Sequence, residues 1–345
     1  MIGFRADGNA QIGTGHIMRC LSIAETLRRK GADCVFISAD KGQEALIVSR
    51  GFEFISLGTQ WNNLESEEDI VIAEIQKNNI KTLVIDSYYV TESYLNKLRE
   101  KTRTVYIDDI NSFAYPVDLL VNYSIYAEDM NYRESYFKAG ASTDFALGCK
   151  YVPLRKEFSS VSRSYGESAK KILVSTGGTD NFNVAGKLLD FLSRCDWFDA
   201  LEYYVIIGKY NSNKPALEEK WGECKNVCLL YNISNISDYM KKCDMAVTAG
   251  GVTVYELLAC GLPSVVYTLA DNQLFAAEKL AALGLMPYAG DVRNSITEVL
   301  DFISDFIASK RKDLSYRAAV SKRMQSTVDG RGCERLAERI MNLSD

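Results

Sequence analysis

Short β-branched and aliphatic runs alternate with longer amphipathic segments along this chain, and that alternation restricts the fold more than any other feature. In the first half the order is a run at residues 2–5, a helical pattern at 17–30, runs at 34–38 and 82–86, a second helical pattern at 91–101 and a run at 104–107. Parallel strands joined by crossover helices meet this pattern. Pro116, Asp118 and the run 119–121 predict one further strand closing this half.

Residues 159–170, SSVSRSYGESAK, are polar and aperiodic, as a linker is. Beyond them the alternation resumes, with strands predicted at 171–175, 203–207, 227–231, 245–248 and 264–267. Helices are predicted to begin near Asn181, Asn235, Thr253 and Asn272, and 298–309 and 310–343 read as terminal helices. A chain of 345 residues exceeds what one core usually supports. The expectation is an α/β protein of two Rossmann-like domains, 1–160 and 170–345, with the terminal helix able to pack back on the first. Two doubly wound sheets facing each other would place a ligand at their C-terminal strand ends, in the cleft between them.

Composition narrows the function. The formal net charge is -5 and no dense Lys/Arg stripe is present, which argues against a nucleic-acid partner. Arg5 and Asp7 fall where a signal peptide needs an unbroken apolar core, so a cytoplasmic protein is expected. The most membrane-like stretch, 250–270, carries Glu256, Gly261 and Pro263, so it reads as a buried helix and strand and no membrane insertion is expected. Nine cysteines lack paired spacing and the chain has one histidine; reduced thiols, no metal and no cofactor are expected.

Four motifs sit where a strand gives way to a helix. In Gln11-Ile12-Gly13-Thr14-Gly15-His16 the glycines let backbone N–H groups, that of Gly15 among them, approach a polar ligand at the positive end of a helix. A plain tight turn uses the same residues. His16, the sole histidine, stands at that helix start, where a helix N-terminus disfavours the imidazolium, so it reads as a base; capping or packing is the bland alternative. Ser175-Thr176-Gly177-Gly178-Thr179-Asp180-Asn181 would present backbone donors and hydroxyls from the second domain. Thr248-Ala249-Gly250-Gly251-Val252-Thr253-Val254-Tyr255-Glu256 suits a pyrophosphate held by N–H groups and the helix dipole. Glu256, one turn in, fits a ribose diol as a bidentate acceptor, or is an acidic residue favourably placed in a first turn. Leu269-Ala270-Asp271-Asn272-Gln273 offers polar groups to sugar hydroxyls or amides, with Asp271 equally able to be an N-cap.

Taken in order, Arg5-Ala6-Asp7, GTGH through Arg19, GGTDxxN, GGVTVYELLACGLPSV, LADNQ and the segment ALGCKYVPLRKEF resemble the PseG family, UDP-2,4-diacetamido-2,4,6-trideoxy-β-L-altropyranose hydrolases of pseudaminic acid synthesis, to which SpsG is close. The resemblance implies the glycosyltransferase B architecture of MurG, His16 as catalytic base, and Tyr88 of the D-x-Y segment and Asn272 at the sugar. It further implies Glu256 on the ribose, uracil against the backbone near Asn235 and Ile236, and no metal. Where this chain has Ser87 and Tyr89, family members often show a histidine and a glycine, which leaves the sugar open.

The mechanism that follows is attack by a water, deprotonated by His16, on the anomeric carbon with inversion. A departing UDP needs no second carboxylate to protonate it, because the Gly250/Gly251 helix start and the Gly178 loop can hold its charge. A small-molecule UDP-sugar is the expected partner and a monomer the expected state. The rival readings are a MurG-like transferase, with His16 acting on an acceptor hydroxyl, a hydrolysing 2-epimerase, and a catalytically silent UDP-sugar sensor.

Overall fold

Strand runs that are apolar on both faces require helices on both sides of a parallel sheet, and the chain builds two such sheets. The structure, a computed structural model, describes residues 1–9, 11–231, 233 and 235–344. It divides into two units: unit 1 is Met1–Lys156 with Gly330–Asp345, and unit 2 is Glu157–Asp329.

Unit 1 begins β1 (Ile2–Ala6), α1 (Gly15–Arg29), β2 (Cys34–Ser38), α2 (Glu44–Ser49), β3 (Glu53–Ser56), α3 (Glu68–Lys77) and β4 (Thr82–Asp86). It continues α4 (Glu92–Arg99), β5 (Arg103–Ile107), β6 (Leu119–Asn122), α5 (Tyr132–Lys138) and β7 (Asp144–Leu147). Unit 2 runs β8 (Lys171–Ser175), α6 (Val184–Leu192), β9 (Glu202–Ile207), α7 (Lys214–Trp221), β10 (Val227–Tyr231), α8 (Ile236–Lys242) and β11 (Met245–Ala249). After these come α9 (Thr253–Cys260), β12 (Ser264–Thr268), α10 (Leu274–Ala282), β13 (Tyr288–Asp291), α11 (Ile296–Lys310) and α12 (Leu314–Thr327), and the chain then returns to unit 1 as α13 (Gly332–Ser344).

The sheet orders are β3-β2-β1-β4-β5-β6-β7 and β10-β9-β8-β11-β12-β13, with parallel pairing throughout. Both are the doubly wound, Rossmann-like arrangement expected from the alternation. β1, β4, β11 and β12 are buried at every position. Helix ends follow local chemistry: Thr91, Ser295 and Asp313 cap α4, α11 and α12 through their side chains. Gly261, at φ +58, ends α9 just before Pro263.

Several expectations need correction. The helix predicted near Asn181 starts at Val184, because the Asp180 carboxylate accepts the Val184 and Ala185 N–H groups at 2.7 and 3.0 Å and fixes the first turn there. The one predicted near Asn272 starts at Leu274, after a 3-10 turn at Asp271–Gln273. The charged segment 310–343 breaks into α12 and α13 around Gly330, which adopts φ +73. β3, β7 and β13, each four residues long, escaped the sequence reading.

The span expected for the second domain, 170–345, differs at both ends: unit 2 starts at Glu157, and α13 belongs to unit 1. α13 packs on α1 and buries Cys333, Leu336, Ala337 and Ile340. Its approach requires glycine at 332, where a Cβ would lie 2.1 Å from the Val152 carbonyl oxygen. Among the described residues no helix is long and apolar enough to cross a membrane, and 250–270 resolves into α9 and β12.

Candidate active site

In each sheet the chain reverses its direction of winding once, between β1 and β4 in unit 1 and between β8 and β11 in unit 2. Loops leaving the C-terminal ends of such a strand pair diverge to opposite faces and leave room for a ligand. The first three sequence motifs leave β1, β8 and β11, and the D-x-Y segment leaves β4.

In unit 1 the loop after β1 is shaped by Asn9, whose side-chain Oδ1 accepts the N–H groups of Gln11 and Ile12 at 2.8 and 3.1 Å, and by Gly13, at φ +72. It delivers Gly15 and His16 to the start of α1. His16 is buried, and its Nδ1 lies 2.6 Å from Oδ1 of Asp86, the last residue of β4. Arg19, one turn along α1, donates to the same carboxylate through Nε and Nη2 at 2.5 Å each, and to the Tyr123 hydroxyl through Nη1 at 2.7 Å. Burial pushes the Asp86 carboxyl up, but Arg19 and then His16 more than offset it and hold the group well below the usual carboxylate range.

Asp86 is therefore an anion and an acceptor, and the His16 proton is assigned to Nδ1, which donates to it. Arg19 Nη2, 3.0 Å from Nδ1, is a second donor toward the shared Oδ1. The imidazole is left with Nε2 as its acceptor. This is the arrangement of a base whose tautomer is fixed by a buried carboxylate.

Tyr88 meets the His16 ring edge-on at 5.0 Å between centroids and 81° between planes, and donates its hydroxyl to Asp109 Oδ2 at 3.0 Å. Burial, then the nearby Asp109 carboxylate, pushes that phenol up, so it stays neutral. Asp109 is pushed up by burial against the opposing pull of Arg19 and Tyr88. Its neighbour Asp108 is structural, accepting from the Ile110 and Asn111 N–H groups and the Tyr132 hydroxyl.

Beside this network, Arg5 is wholly buried. It donates through Nε and Nη2 to the two oxygens of Glu67 at 2.6 and 2.8 Å, and through Nη1 to Asp7 at 2.6 Å. Glu67 also accepts from the Thr59 and Tyr94 hydroxyls, each at 3.0 Å. Asp7, Ile12, His16, Trp61, Tyr88 and Tyr89 are among the residues lining a cavity of about 10 Å³.

In unit 2, Gly178 lies in the turn after β8, and its carbonyl accepts the Tyr210 N–H at 3.2 Å. Gly208 follows β9 against this turn, so closely that a Cβ there would stand 2.2 Å from the Gly178 carbonyl oxygen. The N–H groups of Gly250 and Gly251 are engaged, donating to the carbonyls of Tyr267 and Ala249 at 2.9 Å each. The donors with no acceptor among the described residues are instead the N–H groups of Val252 and Thr253, at the α9 start. Of the two glycines, Gly251 has open space where a Cβ would be, and Gly250 admits the Gln273 Cβ, 3.1 Å from where its own would lie.

Glu256 is half-buried in the first turn of α9. Asn235 caps α8, its side-chain Oδ1 accepting from the Ser237 N–H and hydroxyl at 3.2 and 2.7 Å, and Ile236 opens that helix. Asn272 is exposed in the turn after β12. Asp271 does not cap the helix: it pairs with Arg293, which also grips Asp291, while Gln273 Oε1 accepts the Leu269 N–H at 3.0 Å.

The structure thus brings Gly15, His16 and Tyr88 together within unit 1, and the loop of Gly250 and Gly251 against that of Asn272 within unit 2. Sequence reasoning missed Arg19, Asp86 and Asp109 as working parts, and Arg293 as the clasp on the Asn272 turn. Asp86 ends an apolar run in the D-x-Y segment, a signal that was available. Among the described residues no group of three or more His, Cys, Asp or Glu side chains is placed to hold a metal ion.

Two Rossmann-like units built on parallel sheets of seven and six strands give this chain the glycosyltransferase B fold. The crystal structure of MurG from Acinetobacter baumannii covers 99% of both chains at a TM-score of 0.73 and 10% identity. No protein-family model matches the chain. Among curated proteins it is 28% identical over 285 residues to an uncharacterized protein of Methanocaldococcus jannaschii; the match takes in 79% of this chain and only 56% of that longer protein. It is 21% identical to the spore coat polysaccharide biosynthesis protein SpsG of Bacillus subtilis, over 99% and 98% of the two chains. The UDP-2,4-diacetamido-2,4,6-trideoxy-β-L-altropyranose hydrolase of Campylobacter jejuni is 24% identical over 81% of this chain and 96% of its own. At 24% identity and 95% of each chain, the chain is also similar to the UDP-N-acetylglucosamine–N-acetylmuramyl-(pentapeptide) pyrophosphoryl-undecaprenol N-acetylglucosamine transferase of Acetivibrio thermocellus. Its relatives thus include both a hydrolase and a transferase named for UDP-sugars.

Proposed function

We propose that this protein hydrolyses a UDP-linked 2,4-diacetamido-2,4,6-trideoxyhexose to UDP and the free sugar, with inversion, in the synthesis of a nonulosonic acid or a surface polysaccharide. The observation that carries the reading is His16, held through Nδ1 by the buried, Arg19-paired Asp86 with Nε2 left to take a proton. A water deprotonated there attacks the anomeric carbon. The bond from that carbon to the β-phosphate oxygen breaks and its electron pair leaves with UDP; the proton stays on Nε2 until solvent takes it.

UDP is assigned to unit 2. Its diphosphate goes to the Val252 and Thr253 N–H groups and the Gly178 turn, with Gly250 and Gly251 giving close approach; Glu256 takes the ribose diol, and the backbone of Asn235 and Ile236 takes uracil. The sugar is assigned to Gly15, Tyr88 and Asn272. The likeness to the Campylobacter jejuni hydrolase supports the sugar class. The likeness to transferases supports a second reading, in which His16 deprotonates an acceptor hydroxyl instead of water.

Proton NMR of the protein with the UDP-diacetamido sugar, without acceptor, beside His16→Ala, tests the assignment. Free sugar and UDP from the wild type and none from the variant are expected. Intact substrate in both samples, with turnover appearing only when an acceptor alcohol is supplied, would make the protein a transferase.

A further inference from the structure

We infer that Trp61 and Tyr89 form an acceptor filter beside His16, a site that admits one water and shuts out alcohols, so that this aromatic pair keeps the reaction hydrolytic; the inference rests on the reading of the protein as a UDP-sugar hydrolase. The cavity that His16 lines measures about 10 Å³, the room of about one water and less than any alcohol needs. Its polar contributors are His16, Asp7, Asp86 and Ser87, and its less polar walls are Ile12, Trp61 and the rings of Tyr88 and Tyr89. Trp61 and Tyr89 meet edge to face at 5.2 Å and 83°, so each ring stops the other from swinging aside. Tyr89 is 43% exposed, so the pair reaches solvent at the edge of the cavity that His16 lines.

Trp61 is on a loop, yet the loop is anchored on both sides. Before it, the Thr59 N–H donates to the Ala39 carbonyl at 3.0 Å and the Thr59 hydroxyl to Glu67 at 3.0 Å. After it, Leu64 is buried and Glu67 is bound by Arg5. Arg5 also holds Asp7, which lines the same cavity. One buried guanidinium thereby sets both a polar wall of the cavity and the segment that carries its indole. A water at this place lies beside the His16 ring; a methanol needs about one methyl group more than the walls give.

The test is product partitioning. Wild type, Trp61→Ala and Tyr89→Gly are each given the UDP-diacetamido sugar in methanol–water and in glycerol–water, and free sugar and alkyl glycoside are counted by proton NMR. In the alcoholysis the alcohol oxygen forms the bond to the anomeric carbon, the alcohol proton passes to His16 and UDP leaves as before. The wild type is expected to give free sugar only. Each variant is expected to raise the glycoside-to-sugar ratio about tenfold or more, the discrimination that a methyl-sized change in a pocket supports.

Continued hydrolysis by both variants with an unchanged ratio overturns the filter and leaves the hydrolase reading standing. Wild-type glycoside formation from either methanol or glycerol overturns it as well. Loss of hydrolysis in both variants with UDP binding retained would make the pair part of the catalytic machinery and not a filter. A wild type that releases no sugar from the UDP-diacetamido sugar removes the hydrolase reading itself.

Discussion

Replacing Asp86 by Asn separates a fixed tautomer from a merely nearby carboxylate. In the wild type one oxygen takes the His16 Nδ1 proton and an Arg19 N–H, and the other takes the Arg19 Nε proton, all within 2.6 Å. An amide supplies one acceptor where two stood. With its oxygen toward His16 its NH₂ opposes Arg19 Nε, donor against donor; turned over, the NH₂ donates to Nδ1 and drives the ring proton to Nε2, which abolishes the base. Either way the site loses one or two charge-assisted bonds of about 1.5–3 kcal/mol each. With about 1.4 kcal/mol per tenfold, the loss of even one such bond should lower kcat by about tenfold to 100-fold. UDP affinity should hold, because the proposed UDP loops belong to unit 2. The assay is UDP release followed by ion-exchange chromatography, with UDP binding by calorimetry and thermal unfolding in parallel. Asp86→Asn combined with His16→Ala should be no slower than His16→Ala alone, since the two act as one unit. A folded Asp86→Asn protein whose kcat stays within about threefold of wild type would refute the tautomer reasoning.

Glu67→Ala strips Arg5 of its bidentate partner inside the core and should lower stability by about 3–5 kcal/mol in urea titration; a change below about 1 kcal/mol would mean that Asp7 suffices for the buried guanidinium. Gly208→Ala puts a methyl 2.2 Å from the Gly178 carbonyl oxygen and 2.5 Å from its carbon. The turn has to move, and UDP affinity by calorimetry should drop about tenfold or more; wild-type affinity would detach that turn from UDP. Asp109→Asn reads a pH dependence. Because the folded carboxyl is raised, the native state binds more protons than the unfolded chain between the ordinary carboxylate value and the raised one, so this group's contribution is present at acid pH and is lost as pH rises through that window. The variant should therefore unfold about 2 °C above wild type near pH 7 and converge with it near pH 4. A lower melting temperature near neutral pH would contradict the sign.

The doubly wound character of both sheets was legible because β1, β4, β8, β11 and β12 are short apolar runs bounded by glycine, Asp or Pro, and their crossover helices carry clear periodicity. β3, β7 and β13 were not: unlike the equally short but wholly buried β6, they are only partly buried, β7 begins with the exposed Asp144, and β13 contains Gly290 and an irregular register. His16 could be singled out from its place at a helix start. What completes it could not, since Asp86 lies 70 residues away and Glu67 lies 62 from Arg5, and pairings at that range are fixed by strand order and not by any local pattern. The donors of the third motif illustrate a finer limit. Gly250 and Gly251 mark the strand-to-helix turn, yet which N–H groups remain unpaired there depends on the Tyr267 carbonyl of the neighbouring strand.

The return of α13 to unit 1 has a consequence for how the protein is made. Its seven strands all precede Lys156, but the helix that covers α1 is encoded after the whole of Glu157–Asp329. On the ribosome, where domains generally fold in order of synthesis, unit 1 can assemble its sheet early and still present the α1 face that Cys333, Leu336, Ala337 and Ile340 later cover. The first unit to begin folding is thus the last to finish. A chain interrupted anywhere in unit 2 would carry a nearly complete first unit with a sticky apolar stripe, a natural handle for chaperones.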